Sequence, residues 1–414
     1  CDDGDGNGGD GTRSVSGLEA CTLRLPGYHS IGYALKGTSE KAELVRKAVI
    51  LALTEINDAG GIAGRSVGLV ECDTEGNPAV AVEVISELGA AAPLSGIVGT
   101  GASSTMVAVL EAAIAGARPL LSPAATSPEI TGLQDDGYLF RTAVSDDFQG
   151  NILARIAIRE GIERVTIIFV KNSWGEGLRE VFDARFGEVW ETVGGGTAET
   201  QHLGYTTETL DAEGLVGQAR AWAPDAVLLI AQEDEGAALV KAAANAGWQP
   251  RWLLTDGVKS PNLVEKVGAP DALEGALGTA PAAPLGAEYE TFEAAFQTAW
   301  GEAPFTFSAT GYDAAYLLVT AMALAADPDD GSLVRDALAV TSGGDTTFGP
   351  GEWATAAAAI AAGATALDYR GASGDVDFDG NGDVQGNIEE WAIRDGGFVT
   401  EGCWTPAGDP CTTR

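Results

Sequence analysis

Two stretches of this sequence gather groups that can do polar chemistry at one place. The first is Gly99-Thr100-Gly101-Ala102-Ser103-Ser104-Thr105, between the strand-like LSGIVGTG and the helix-like STMVAVLEAAIAGA. A strand-to-helix turn offers backbone N–H groups and the positive end of a helix dipole, and Ser103 and Ser104 add hydroxyl donors. Such a turn suits an anion, and a small carboxylate fits it as well as a phosphate. The stretch follows a dinucleotide fingerprint only superficially, because Ser104 stands where that pattern requires its last glycine. No cofactor is expected. The bland alternative is a capping serine with no ligand. The second stretch is Leu121-Ser122-Pro123-Ala124-Ala125-Thr126-Ser127-Pro128, at the end of the next strand. Neighbouring strands of a parallel sheet end on the same edge, which brings Ala124 and Thr126 close to Ser103. A backbone carbonyl and a hydroxyl there can receive an ammonium group.

What is missing limits the chemistry further. The chain has only two histidines, His29 and His202, so a Ser-His-Asp relay or a His-rich zinc site would have to use one of them. Both read as structural or surface residues. No CxxC, nucleophile elbow or acid–base pair is present, and no enzymatic activity is expected. The run Asp375-Val376-Asp377-Phe378-Asp379-Gly380-Asn381-Gly382-Asp383 alternates oxygen ligands like a calcium loop. Counted from Asp375 or Asp377, however, the twelfth position is Gly386 or Ile388, not the bidentate Glu such loops need. It reads as a turn, and no metal is expected. With 60 acidic against 24 basic residues, the formal charge of −36 excludes a nucleic-acid partner and docking through a basic patch on anionic lipid. No uncharged apolar run is long enough to span a membrane.

The elements that must position these residues alternate regularly from about residue 26. Strand SIGYALKG precedes helix ELVRKAVILALTEINDAGG, which Gly60 and Gly61 end. Strand SVGLVECD precedes helix AVAVEVISELGA, and the two polar stretches follow. After FRTAVSDDFQG come helix NILARIAIREGI, strand RVTIIFVKN, helix GEGLREVFDARF, strand TAETQHLGY, helix LVGQARAWA, strand AVLLIAQ, helix GAALVKAAANAG, strand WLLTDGV and helix LVEKVG. This βαβα order predicts an α/β fold: parallel sheets flanked by helices, in two successive lobes at about 26–142 and 146–275. Strand ALGTAPAA and two helices follow. GASGDVDFDGNGDVQGNIEEWAIRDGGFV reads as a hairpin-like tail. Two such lobes with the chain crossing between them predict a cleft for a small-molecule ligand.

Cys1 followed by the polar run Asp2–Gly11 resembles the start of a mature bacterial lipoprotein, in which the first cysteine carries the lipid. That resemblance implies a membrane-anchored extracytoplasmic protein, with residues 1–20 as a flexible tether. If Cys1 is lipidated, Cys21, Cys72, Cys403 and Cys411 form an even set, and export favours disulfides. Cys403 and Cys411 flank a turn-rich WTPAGDP and are expected to pair, which by elimination leaves Cys21 with Cys72.

GTGASST, LLSPAATSPEIT and FRTAVSDDFQG together resemble the solute-binding proteins of branched-chain amino-acid ABC importers, the type I periplasmic binding proteins, over roughly residues 26–400. The resemblance implies two Rossmann-like lobes joined by three crossovers: 21–142 with 276–369, and 143–275 with 370–400, then a tail at 401–414 closed by a disulfide. It implies capture of an amino acid and delivery to ABC permease subunits, with a sensory module for amides or small carboxylates as the alternative. By position, Ser103 resembles the serine that binds the ligand carboxylate. Thr126 resembles the threonine that touches carboxylate and ammonium, and Ala124 the carbonyl that accepts from the ammonium. In the second lobe, Trp174 of VKNSWGEGL stands where the family has an aromatic lid. Asp256 of LLTDGV stands where many members use an acid against the ammonium. Gln232 of IAQEDEG departs from an often aromatic position, which points to a more polar pocket. Phe307 of FTFSATGYDAAYLL is expected to line the side-chain pocket.

Overall fold

A computed structural model describes residues 13–14, 21–37, 39–91, 94–193, 198–282 and 286–411. The chain divides into two compact units. The first comprises residues 1–124, 134–142 and 287–382, and the second residues 125–133, 143–286 and 383–414.

In the first unit five parallel strands lie in the order Val67–Asp73, His29–Leu35, Leu94–Gly99, Leu120–Ser122, Leu139–Arg141. The chain starts in the second of these positions and fills the sheet to either side. Its order therefore reverses between His29–Leu35 and Leu94–Gly99. In open α/β sheets the crevice beyond the carboxyl ends at such a switch point is where ligands bind. Strand Cys21–Leu25, which the alternating pattern did not announce, pairs antiparallel with Val67–Asp73. This puts Cys21 directly opposite Cys72, and the two form a disulfide. The helix Ser308–Leu324 is buried along almost its whole length, because its sequence is apolar all round. Its one acid, Asp313, is fully buried and accepts from the Tyr369 hydroxyl, the Ala372 and Ser373 N–H groups and the Ser373 hydroxyl.

The second unit repeats the same strand order: Glu199–Tyr205, Arg164–Val170, Ala226–Ile230, Arg251–Leu254, Leu277–Pro281, all parallel. The antiparallel pair Ile388–Arg394 and Gly397–Trp404 extends it beyond Leu277–Pro281. Cys403 and Cys411 are joined there as expected. The helices Asp146–Arg159 and Ser173–Val193 cover this sheet with Ile152, Ile156, Leu178, Phe182 and Phe186, all buried.

The expected lobe limits need correction at several places. Residues 276–286 belong to the second unit, because Leu277–Pro281 finds its partners in Arg251–Leu254 and Ile388–Arg394. Residues 370–382 belong to the first, where Asp368–Gly371 pairs with Thr347–Phe348 and Gly374–Asp375. The single hairpin-like tail is thus two hairpins, one in each unit. Residues 401–404 continue strand Gly397–Trp404 rather than opening a tail. Besides single crossings after residues 142, 286 and 382, the segment 125–133 leaves the first unit for the second. The SPAAT motif is split between Ala124 and Ala125.

Candidate functional site

In the first unit the polar turn sits at the switch point. Strand Leu94–Gly99 ends in Gly99, where a side chain would meet the Ala34 carbonyl oxygen at 2.4 Å; only glycine lets the two strand ends approach this closely. The Gly99–Thr100 peptide is cis. Thr100 is fully buried; its carbonyl accepts from the Ser122 hydroxyl, and its own hydroxyl has no hydrogen-bond partner among the described residues. Ser103 heads the helix Ser103–Ala108 and is 4% exposed. The N-cap is Ala102, which offers no side-chain acceptor to the helix start. Ala124 lies just past strand Leu120–Ser122, half-buried, with its N–H donated to Ser122 Oγ at 3.4 Å. Phe307 precedes the buried helix, packs edge-on against Phe305 at 5.9 Å and is 9% exposed. Ser103, Ala124 and Phe307 therefore all belong to the first unit.

Thr126, Trp174, Gln232 and Asp256 belong to the second. Thr126 is buried, and its hydroxyl donates to Asp146 Oδ2 at 2.8 Å while the Asp146 N–H donates to its carbonyl at 2.8 Å. In this arrangement the only hydroxyl hydrogen of Thr126 is committed, so the group is left as an acceptor and suits an ammonium better than a carboxylate. Trp174 is the second residue of helix Ser173–Val193 and is 6% exposed. The helix start is pinned to segment 125–133: Ser127 Oγ donates to the Ser173 carbonyl at 2.9 Å, and Ser173 Oγ to Glu129 Oε2 at 2.5 Å. Asp256 opens the short turn Asp256–Val258 after strand Arg251–Leu254 and is 8% exposed. Its Oδ1 accepts from Gln149 Nε2 at 3.0 Å. The Trp174 indole packs on the next residue: a methyl on Gly257 would come within 2.6 Å of Trp174 Cη2. Trp174 thus packs against the turn that carries Asp256. Gln232 is exposed, and its side chain caps no N–H of the helix it precedes, Glu233–Asn245.

Sequence reasoning passed over Asp146 and Gln149, which hold Thr126 and Asp256. The signal lay in FRTAVSDDFQG, whose residues carried the resemblance without being given a task. Both histidines meet an acid: the buried His29 places Nδ1 2.9 Å from Asp329 Oδ1, and the exposed His202 places Nε2 2.6 Å from Asp183 Oδ2. In the 375–383 run, Asp379 accepts from the Asn381 N–H at 2.7 Å and Asp383 from the Thr131 hydroxyl at 2.6 Å. Among the described residues there is no cluster of metal-ligating side chains, and no helix is long and apolar enough to cross a membrane. Cys1 lies outside the described residues.

Two units of one doubly wound order, each with buried polar groups just past a strand end, define a two-unit ligand-binding α/β protein. The chain belongs to the periplasmic binding protein family, whose sequence pattern matches residues 35–388. It is similar to the chemotactic signal transduction system substrate-binding protein BasB of Halobacterium salinarum, 28% identical over 338 residues, which are 80% of this chain and 78% of BasB. It is also similar to an amino acid binding protein of Pseudomonas aeruginosa, 28% identical over 229 residues, 55% of this chain and 59% of that protein. The solved leucine binding protein LivK of Thermotoga maritima shares the fold: TM-score 0.76 at 23% identity, over 92% of this chain and 99% of LivK.

Proposed function

We propose that the chain is an extracytoplasmic solute receptor that captures an amino acid and hands it to the permease of an ABC importer. The named residues carry the two kinds of group that a zwitterion needs. The turn at Ser103 offers donors for the carboxylate, and Asp256, Thr126 and the Ala124 carbonyl offer acceptors for the ammonium. Trp174 covers the aliphatic part, with Phe307 on the side-chain pocket and Gln232 bringing a polar contact. Cys1 carries a lipid that keeps the receptor at the membrane. One observation carries this reading: Asp256 is a buried carboxylate at a strand end, held by the neutral amide of Gln149. Charge-assisted hydrogen bonds are the strong kind, so one pairing of this carboxylate with an ammonium can dominate affinity. The similarity to an amino acid binding protein supports it.

A thermal-shift screen of amino acids, amides and small carboxylates, followed by calorimetry, tests the proposal. At least one amino acid should raise the melting temperature, and a response confined to amides or des-amino carboxylates would overturn it. The similarity to BasB favours a second reading, a receptor that reports the same ligand to a signalling partner. Capture from membranes by the ligand-loaded chain separates the two: a permease supports delivery, a transducer supports sensing.

A further inference from the structure

The first turn of helix Asp146–Arg159 touches both side-chain acceptors that the second unit offers a cation. Asp146 and Gln149 are three apart and share one helix face. Asp146 takes the Thr126 hydroxyl at 2.8 Å. Gln149 Nε2 donates to Asp256 Oδ1 at 3.0 Å and to the Thr279 carbonyl at 3.2 Å. A carbonyl and a carboxylate only accept, so the amide has one orientation: turned over, its oxygen would face two oxygens. Gln149 is 1% exposed and Asp256 8%, so the contact is made away from water. A buried carboxylate stays charged only if donors replace the water it has lost. A guanidinium or ammonium at position 149 would do this too, but would spend the charge of Asp256 on the protein itself. A neutral amide stabilises the carboxylate without neutralising it.

We propose that Gln149 is a positioning residue for cation recognition. It holds Asp256 ionised and in one rotamer, and so makes the second unit prefer an amino acid over the same carbon skeleton without its ammonium. The proposal rests on the reading of Asp256 as the ammonium acceptor.

The test is calorimetry on the full chain and its Q149L, Q149E and D256N variants, with leucine and its ammonium-free counterpart 4-methyl-2-oxopentanoate. If another of the common amino acids binds tighter, it and its 2-oxo acid form the pair. Q149L should weaken leucine about 10-fold or more, as loss of a hydrogen bond to a charged group implies, and leave the 2-oxo acid within about 2-fold. Q149E should bind leucine poorly at pH 8 and recover toward pH 5, where the introduced carboxylate takes a proton and becomes a donor to Asp256; the wild type should show no such recovery. Equal losses for both compounds, with no recovery in Q149E, would mean a merely structural role and overturn the proposal. Should Q149L fail to fold, the Q149E series decides alone. D256N binding leucine like wild type, or a wild type that binds no amino acid, would sink the underlying reading and the proposal with it. D256N weakening leucine while Q149L does not would sink the Gln149 role only.

Discussion

The contact between Trp174 and the Asp256 turn gives a prediction whose size follows from the coordinates. Gly257 adopts a φ outside the left-handed region, so alanine meets no backbone penalty there. The penalty is steric. The added methyl would lie 2.4 Å from the Ala231 carbonyl oxygen and 2.6 Å from Trp174 Cη2. Unstrained heavy-atom contacts sit near 3.5 Å, so roughly 1 Å must be found. The indole can turn aside, but the buried Ala231, directly after strand Ala226–Ile230, cannot. The turn Asp256–Val258 must therefore move, taking the carboxylate with it. Overpacking of this kind costs about 1–3 kcal/mol. In a unit of this size that lowers the melting temperature by about 2–12 °C. A carboxylate displaced by roughly 1 Å loses most of a charge-assisted hydrogen bond, so G257A should bind an amino acid about 10- to 100-fold more weakly. Thermal melts and calorimetry on the same preparation check both figures. G257A that melts and binds like wild type would refute both the packing of Trp174 on this turn and the role given to Asp256. A lower melting temperature with unchanged affinity would refute the role alone.

Three further outcomes are expected. Burial raises the Asp313 carboxyl from 3.8 to about 6 despite its four donors. The stability this group contributes is therefore complete below its unfolded value and lost as pH rises through about 6, by roughly 3 kcal/mol. D313N does not titrate, so the stability advantage of wild type over D313N should shrink between pH 4 and pH 7 in urea melts; a constant difference would contradict this. The Cys21–Cys72 bridge closes a 51-residue span and the Cys403–Cys411 bridge an 8-residue one. Loop entropy then predicts losses of about 4 and about 2–3 kcal/mol for the paired serine variants, and the reverse order would count against an entropic origin. Ethylenediaminetetraacetate should leave the melting temperature unchanged, because Asp379 and Asp383 already hold protein donors; a large drop would mean a bound cation.

The local steps of the fold were legible because each rests on a few adjacent residues. GTGASST reads as a strand-to-helix turn since two glycines and a run of hydroxyl residues separate an apolar strand from an apolar helix. LLTDGV reads as a strand ending in an acid for the same reason. Element ends were less legible. Helix Asp146–Arg159 begins five residues before the periodic NILARIAIREGI, because Ser145 caps it through the Asp147 N–H, which shows no apolar period. Nor is the membership of strand Leu277–Pro281 in the second unit legible, since one of its two partners in the sheet, Ile388–Arg394, lies more than a hundred residues further along the chain.

By itself, then, the sequence determined the alternation of strands and helices, the repeated α/β plan, the short Cys403–Cys411 pairing and the residue types at the ends of strands. Those depend on periodicity, turn chemistry and short separations, which a linear reading contains. Only the tertiary structure decided which acid meets a neutral amide and which takes a hydroxyl. Thr126 and Asp146 are 20 residues apart, and Gln149 and Asp256 are 107 apart. Nothing local to either pair announces the other partner. The register of a parallel sheet and the placement of one helix turn over it bring them within hydrogen-bond distance, and that placement belongs to the packed core rather than to any segment of the chain.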